Sequence, residues 1–246
     1  MSRANVKDKR KAQLIAAAME SIAKRGLVET TITHISKGAG MSRGIINFYF
    51  DSKEMMLRET LKTLIDAYEA EWGAALTKAG DDGRARLDAL VAAHFDKSLC
   101  SARRLNVMSA FWGHAATQNA YRHQLEAADA KIEQAFTGAL AHTLGGSLEE
   151  ARDAATQLHA LIRGLWLNFM LNPKEVAREM LTAQATSFID RLTGAPVRIV
   201  RDHLIARPAK PELVAIESSP KPKPARKPKP EAPKQLDIED LFGNRS

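Results

Sequence analysis

The stretch from Thr31 to Lys53, TITHISKGAGMSRGIINFYFDSK, limits the fold more than any other part of the chain, because cap, helix, turn and helix follow at once. Thr31 is placed to N-cap a first helix in which Ile32, Ile35 and Ala39 recur at i, i+3 and i+7, one buried face. Gly40 stops it, since glycine accepts the left-handed backbone a sharp turn needs. Ser42 then caps a second helix. There Ile45 and Ile46 are expected to face the core, leaving Arg43, Gly44, Asn47, Phe48 and Tyr49 outward. Two short helices at this spacing, the second carrying a cation and an amide, form a probe for the DNA major groove.

The outward residue types suit that role individually. Arg43 has the fork for guanine or phosphate, Asn47 the amide geometry for adenine, and the Tyr49 hydroxyl a donor for phosphate. Gly44 permits close backbone approach. Lys53 follows Asp51 and Ser52 at the start of the next helix, where a lysine and free backbone N–H groups favour phosphate. With Thr31, Thr33, Ser42 and Phe48 these are the candidate DNA-binding residues, and double-stranded DNA is the expected partner.

The set Thr31, Ile35, Ala39-Gly40, Ser42, Gly44, Tyr49-Phe50, Lys53 and Leu57 resembles the DNA-binding pattern of the TetR family of bacterial transcriptional repressors. The preceding KAQLIAAAMESIAKRG is similar to that family's first helix. Asn47 departs from it, since many members carry another residue there, so no operator sequence carries over. The resemblance implies a three-helix DNA-binding domain, a helical ligand-binding and dimerisation domain behind it, and release from operator DNA on ligand binding.

The rest of the chain reads as helix. Residues 6–25 carry Leu14, Ile15, Ala18, Met19 and Ile22 on one side, with Gly26 as terminator. A long helix from Ser52 to about Lys78 presents Met56, Leu57, Leu61, Leu64, Ile65, Tyr68 and Trp72. After the loop GDDG, helices are expected at 84–98, 103–115, 119–143, 148–171 and 174–193, broken at Gly145-Gly146 and Asn172-Pro173. β-branched residues nowhere alternate with polar ones over strand length, so the expected fold is all-α. The expected division is a DNA-binding domain at 1–52, a ligand-binding and dimerisation domain at 53–205, and a disordered tail at 206–246.

Leu158, Leu161, Ile162, Leu165 and Phe169 form one apolar stripe, and Val176, Met180, Ala183 and Phe188 another. Paired with their symmetry mates these would close a four-helix bundle, and a homodimer also suits two recognition helices one DNA turn, ~34 Å, apart. Aromatic residues are scarce, yet Phe111-Trp112, Tyr121, Trp166 and Phe169 fall in helices expected to enclose a ligand, with His159 beside them. A quaternary ammonium, lacking any N–H, is held by aromatic faces; ordinary core packing is the alternative for each ring. AFWGHAATQNAYRHQL at 110–125 and IRGLWLN at 162–168 resemble the choline-responsive BetI branch of the same family, which implies choline or a related trimethylammonium compound as inducer. An uncharged hydrophobic or acyl ligand, or an architectural role in DNA binding through the basic tail, are the rival readings.

None of the seven histidines falls in a tight metal spacing, and no nucleophile elbow, Walker or dinucleotide glycine motif occurs, so neither catalysis, metal nor cofactor is expected. The formal charge of +7 favours an anionic partner. Glu20 and Lys24 interrupt the apolar run after the basic N-terminus, no run reaches the ~18 apolar residues of a membrane helix, and Cys100 is the only cysteine, so a reducing, cytoplasmic setting without membrane contact is expected. Eight of the ten prolines lie between Pro208 and Pro233, interleaved with Lys221, Lys223, Arg226, Lys227 and Lys229. Such a segment stays extended, and either attaches loosely to DNA phosphates or keeps the protein soluble. The closing Leu236, Ile238, Leu241 and Phe242 among acidic residues suit a short docking motif, at 235–242, for a further partner.

Overall fold

The computed structural model describes residues 3–195, which form α-helices joined by turns. The tail and its terminal motif lie outside the described residues. Among the described residues the order is α1 (Arg3–Glu29), α2 (Ile32–Ala39), α3 (Arg43–Tyr49), α4 (Lys53–Ala79), α5 (Gly83–Phe95), α6 (Ala102–Ala115), α7 (Asn119–Leu144), α8 (Leu148–Leu171) and α9 (Arg178–Leu192).

Short polar side chains fix most helix starts. Thr31, Ser42, Ser52, Asp82 and Ser101 each accept a hydrogen bond from the backbone N–H three residues on, and Ser147 does so within a reciprocal capping box with Glu150. Gly40, at φ 63° and ψ 32°, ends α2 with the Gly40 N–H on the Lys37 carbonyl and the Met41 N–H on that of Ser36, the paired bonds of a Schellman cap.

Three boundaries differ from the periodicity. At Gly26, φ 78° and ψ 174°, α1 kinks and continues to Glu29. Helix α5 stops at Phe95 because Asp96 turns extended and its carboxylate accepts the Ser98 N–H at 2.8 Å. Helix α9 starts at Arg178, since Asn172 opens a turn that accepts the Glu175 and Val176 N–H groups.

Three apolar clusters hold the chain. Leu14, Ile15, Ala18, Ile35, Ile46, Phe50 and Met56 close α1 to α3 on the start of α4. Ile22, Leu27, Leu57, Leu61, Val107, Phe111, Tyr121 and Leu125 join α1 and α4 to α6 and α7. The largest cluster draws Leu87, Leu90, Phe95, Ile132, Phe136, Leu158, Ile162 and Leu181 from α5, α7, α8 and α9. The stripe read as a free pairing face is corrected here: Leu158, Ile162, Leu165, Phe169, Val176 and Met180 are buried within a single chain, against their own neighbouring helices. The outer side of α8 instead carries Ala160, Gly164, Leu167 and Leu171, all exposed. Among the described residues no helix is long and apolar enough to cross a membrane.

Candidate functional site

The first candidate surface is α3 with the ends of its neighbours. On the seven-residue α3, Ile46 is fully buried and Ile45 partly, which turns Arg43, Gly44, Asn47 and Phe48 to the outside. Phe48 is 74% exposed, the most exposed large apolar side chain among the described residues. A Cβ on Gly44 would meet only the Ser42 hydroxyl, at 3.8 Å, so nothing within the chain demands glycine there. The Arg43 guanidinium donates to the Thr33 hydroxyl, joining the two helices of the motif on their outer side.

The hydroxyls of Thr31 and Ser42 are occupied as caps. Tyr49 is half-buried, packed on the α1–α3 core with its ring at right angles to that of Phe48, centroids 5.2 Å apart. Lys53 reaches back to the Val28 carbonyl at 3.4 Å, close to the kinked end of α1. Lys7, over the Phe48 ring at 5.9 Å, and the groove beside the Gly40 turn lined by Lys9 and Arg10 add cations to this face.

The second candidate site is a cavity of about 30 Å³ among α4, α6, α7 and α8, walled by Ile65, Tyr68, Met108, Trp112, Leu125, Ala128, Asp129, His159, Arg163 and Trp166. Three of the ligand residues expected from the sequence, Trp112, His159 and Trp166, meet there. The Trp112 and Trp166 rings lie nearly parallel, 17° apart, with centroids at 6.4 Å, and the Tyr68 ring meets Trp166 edge-on at 5.9 Å. The other three face elsewhere. Phe111 and Tyr121 pack on each other at 5.2 Å in the junction between α1, α4, α6 and α7, and Phe169 lies in the core beneath the Arg178 guanidinium at 4.9 Å. Neighbours on a helix are about 100° apart, and here that turn separates Phe111, in the junction, from Trp112, on the cavity wall.

Polar groups set the cavity's charge. His94 behind Trp166 gives its Nδ1–H to the Leu90 carbonyl at 2.6 Å, which leaves Nε2 to accept from the Tyr68 hydroxyl at 2.7 Å. Burial pushes His94 down to about 4 and the Tyr68 phenol well above its ordinary range, so both are neutral. The Trp166 indole N–H donates to the His94 carbonyl at 2.9 Å, fixing that ring. Asp129 pairs with Arg163, whose guanidinium also lies over Trp112 at 5.4 Å. His159 bonds Glu133 at 3.1 Å, and burial lowers its pKa despite that carboxylate. Among the described residues no group of His, Cys, Asp and Glu is arranged to hold a metal.

Residues 14–60 match the family model described as bacterial regulatory proteins, tetR family, and residues 83–194 match that of the BetI-type transcriptional repressor, C-terminal. The HTH-type transcriptional regulator BetI of Burkholderia mallei (strain NCTC 10229) is 32% identical over 197 residues, covering 80% of this chain and 100% of its own. The chain belongs to the TetR family. Its BetI relative from Ectopseudomonas mendocina (strain ymp) is 32% identical over 182 residues, 74% of this chain and 92% of that one.

Among solved structures, a transcriptional regulator from Pseudomonas aeruginosa PAO1 superposes on this TetR fold with a TM-score of 0.70 at 27% identity, covering 76% of this chain and 91% of its own. A regulator from Saccharomonospora viridis, solved in complex with choline, gives 0.66 at 22% identity, with 74% and 96% covered. The relatives are regulators of transcription, and the chain is a BetI-like TetR-family repressor and not an enzyme.

Of the seven cavity residues of this TetR repressor not expected from the sequence, four bring the polar and polarisable groups: Tyr68, Met108, Asp129 and Arg163. Two of them carried a local signal. Met108 precedes Trp112 by one turn, and Arg163 lies at i+4 from His159 and i−3 from Trp166, so both share a helical face with an expected ligand residue. Asp129 and Tyr68 carried none, because only tertiary packing brings α7 and α4 to this wall.

Proposed function

We propose that this repressor acts as a dimer on operator DNA and that choline, or a closely related quaternary ammonium, lowers its operator affinity, controlling genes of betaine synthesis or uptake. The observation that carries the ligand is the wall itself: two parallel tryptophans and a tyrosine edge beside one carboxylate, Asp129. A methylated ammonium offers no N–H, so it is recognised by aromatic faces and a nearby negative charge, about 2 kcal/mol or more per desolvated ring. A wall of aromatic and charged side chains suits a cation better than a long acyl chain. The choline complex of the Saccharomonospora viridis regulator supports the same reading.

The route to DNA runs through α6. Met108 and Trp112 face the cavity, while Val107 and Phe111, on the same helix, are buried against Ile22, Leu27, Leu57 and Leu61. A ligand that shifts Trp112 also shifts Phe111, and with it the seat of α1 and α4. A groove of about 310 Å³ lined by Leu27, Val28, Lys53, His114 and Tyr121 leaves this junction room to move. The ligand then favours a state in which the two recognition helices no longer fit successive grooves, and by linkage operator DNA weakens ligand binding by the same factor.

The DNA-reading residues are those expected from the sequence, in residues 1–52 and at Lys53 just beyond, with Arg43, Asn47 and Phe48 at base edges, Gly44 giving close approach, and Thr31, Thr33, Ser42, Tyr49 and Lys53 at the backbone. Pairing uses the outer side of α8, where Leu167 and Leu171 are 50% and 66% exposed and a Cβ on Gly164 would meet nothing within 4 Å of its own chain. Isothermal titration with choline and with its uncharged isostere 3,3-dimethylbutanol tests the ligand. Choline is expected to bind more tightly, and Trp112→Ala or Trp166→Ala to weaken it more than Trp72→Ala. Equal affinity for the isostere would remove the cation from the reading, and no heat from either would leave these rings as core packing.

A further inference from the structure

The seat for a cation at this cavity is already taken by the chain's own Arg163. Its guanidinium lies 5.4 Å over the Trp112 ring and is paired to Asp129, the two partners a quaternary ammonium would use. It holds that place imperfectly, because its Nε is buried without a hydrogen-bond partner. The remaining space of about 30 Å³ holds a water or two, at the ~10–15 Å³ each needs, and is too little for a trimethylammonium group. Arg163 is the movable part of the wall: its side chain is 36% accessible, at the edge, whereas Trp166 is buried and tied to the His94 carbonyl.

We propose that Arg163 is a built-in competitor, a surrogate cation that holds the unliganded arrangement of α6, α7 and α8 and must leave Trp112 for the ligand to enter. This rests on the quaternary ammonium reading above. The event is an exchange of cations: the guanidinium swings to solvent, and the carboxylate it releases becomes counter-ion to the incoming ammonium. An uncharged molecule of the same shape displaces Arg163 without replacing its charge, and leaves Asp129 with only the His159 Nε2, 3.9 Å away, in a half-buried wall. Selection for a cation is therefore set by the Asp129–Arg163 pair as well as by the rings. Asp129 is a ligand-positioning group, and Arg163 sets the threshold concentration at which the repressor responds.

The test is the ratio of choline to 3,3-dimethylbutanol affinity in full-length protein, measured by titration calorimetry for wild type, Arg163→Gln and Asp129→Asn. Removing the competitor is expected to tighten choline about tenfold, the exchange of one partly desolvated cation–π contact, with less effect on the isostere, so the ratio rises. Removing the carboxylate is expected to lower it. A loss of packing alone would change both affinities together and leave the ratio still. Should Arg163→Gln fail to fold by circular dichroism, Arg163→Met, apolar and of similar length, makes the same comparison. A wild type that binds choline while Arg163→Gln binds it equally or less well overturns the competitor and leaves the choline reading standing. No choline binding by wild type or either variant overturns both.

Discussion

Lowering the pH is expected to weaken this repressor, most of all through His94. It is fully buried, its ring between Phe136 and Trp166 with both centroids at 5.5 Å, and its two nitrogens are committed as donor to Leu90 and acceptor from Tyr68. A proton on Nε2 would confront the Tyr68 hydroxyl with a donor and place a charge among apolar rings. Burial therefore holds the folded-state pKa at about 4, against an ordinary 6.5. Unfolded chains take up this proton as pH falls below 6.5 and folded ones not until about 4, so stability is full above 6.5, falls between the two and levels off below the lower. At ~1.4 kcal/mol per pH unit the whole effect is about 3 kcal/mol, of which about 2 kcal/mol falls between pH 7 and pH 5. The assay is urea denaturation followed by circular dichroism at fixed protein concentration, comparing wild type with His94→Gln, whose amide retains an acceptor for Tyr68 and takes no proton. His159, also lowered by burial, titrates in both proteins and cancels. An equal loss of stability in the two proteins between pH 7 and pH 5 would refute the buried neutral imidazole.

Further outcomes follow from the other surfaces. Arg43→Ala and Asn47→Ala are each expected to cost roughly 1–3 kcal/mol of operator binding and to relax base preference in mobility-shift titrations. Gly44→Ala, whose methyl would sit in ordinary contact with the Ser42 hydroxyl at 3.8 Å, is expected to leave thermal stability unchanged or slightly raised while weakening operator binding; unchanged binding would show that no DNA backbone approaches there. Gly164→Glu places a charge on the outer side of α8 and is expected to yield monomers in sedimentation velocity, since burying an unpaired charge costs several kcal/mol. Phe111→Leu is expected to keep choline affinity but reduce choline's effect on operator binding, at part of the roughly 3–5 kcal/mol that truncation to Ala would remove; full release with this variant would place the coupling outside α6.

The DNA-binding end was legible because its signals are local. Thr31, Gly40, Ser42 and Ser52 act on backbone groups within a few residues of themselves, so their chemistry can be read without knowing what lies across the molecule. The break at Asn172 was legible too, whereas the turn at Asp96 that ends α5 and the turn that delays α9 to Arg178 were not, the second because the buried Val176 within it prolongs an apolar pattern that passes for helix. Helical periodicity has a blind spot of another kind at α8. A stripe at i, i+4 and i+7 states that a face is covered and is silent about what covers it. Leu158, Ile162, Leu165 and Phe169 met that pattern and are covered by their own chain. The side proposed for pairing shows a weaker signal, small residues one turn apart followed by leucines, in Ala160, Gly164, Leu167 and Leu171.

The cavity shows where residue type stops and direction begins. Counting aromatic residues placed Phe111, Trp112 and Tyr121 together, whereas their angular positions on α6 and α7 send two of them to the junction with α1. That separation matters for function, because a ligand sensor needs one helix to touch both the ligand and the DNA-binding end. Had Phe111 and Trp112 shared the cavity, α6 would carry no large buried ring against Ile22 and Leu57, and a shift at the ligand would have less to push on. With Phe111 buried in the junction with α1 and α4, and Trp112 packed against both that junction and the larger cluster, α6 links the two, and in the proposed sensor this link would carry binding energy at Trp112 to the seat of the recognition helix.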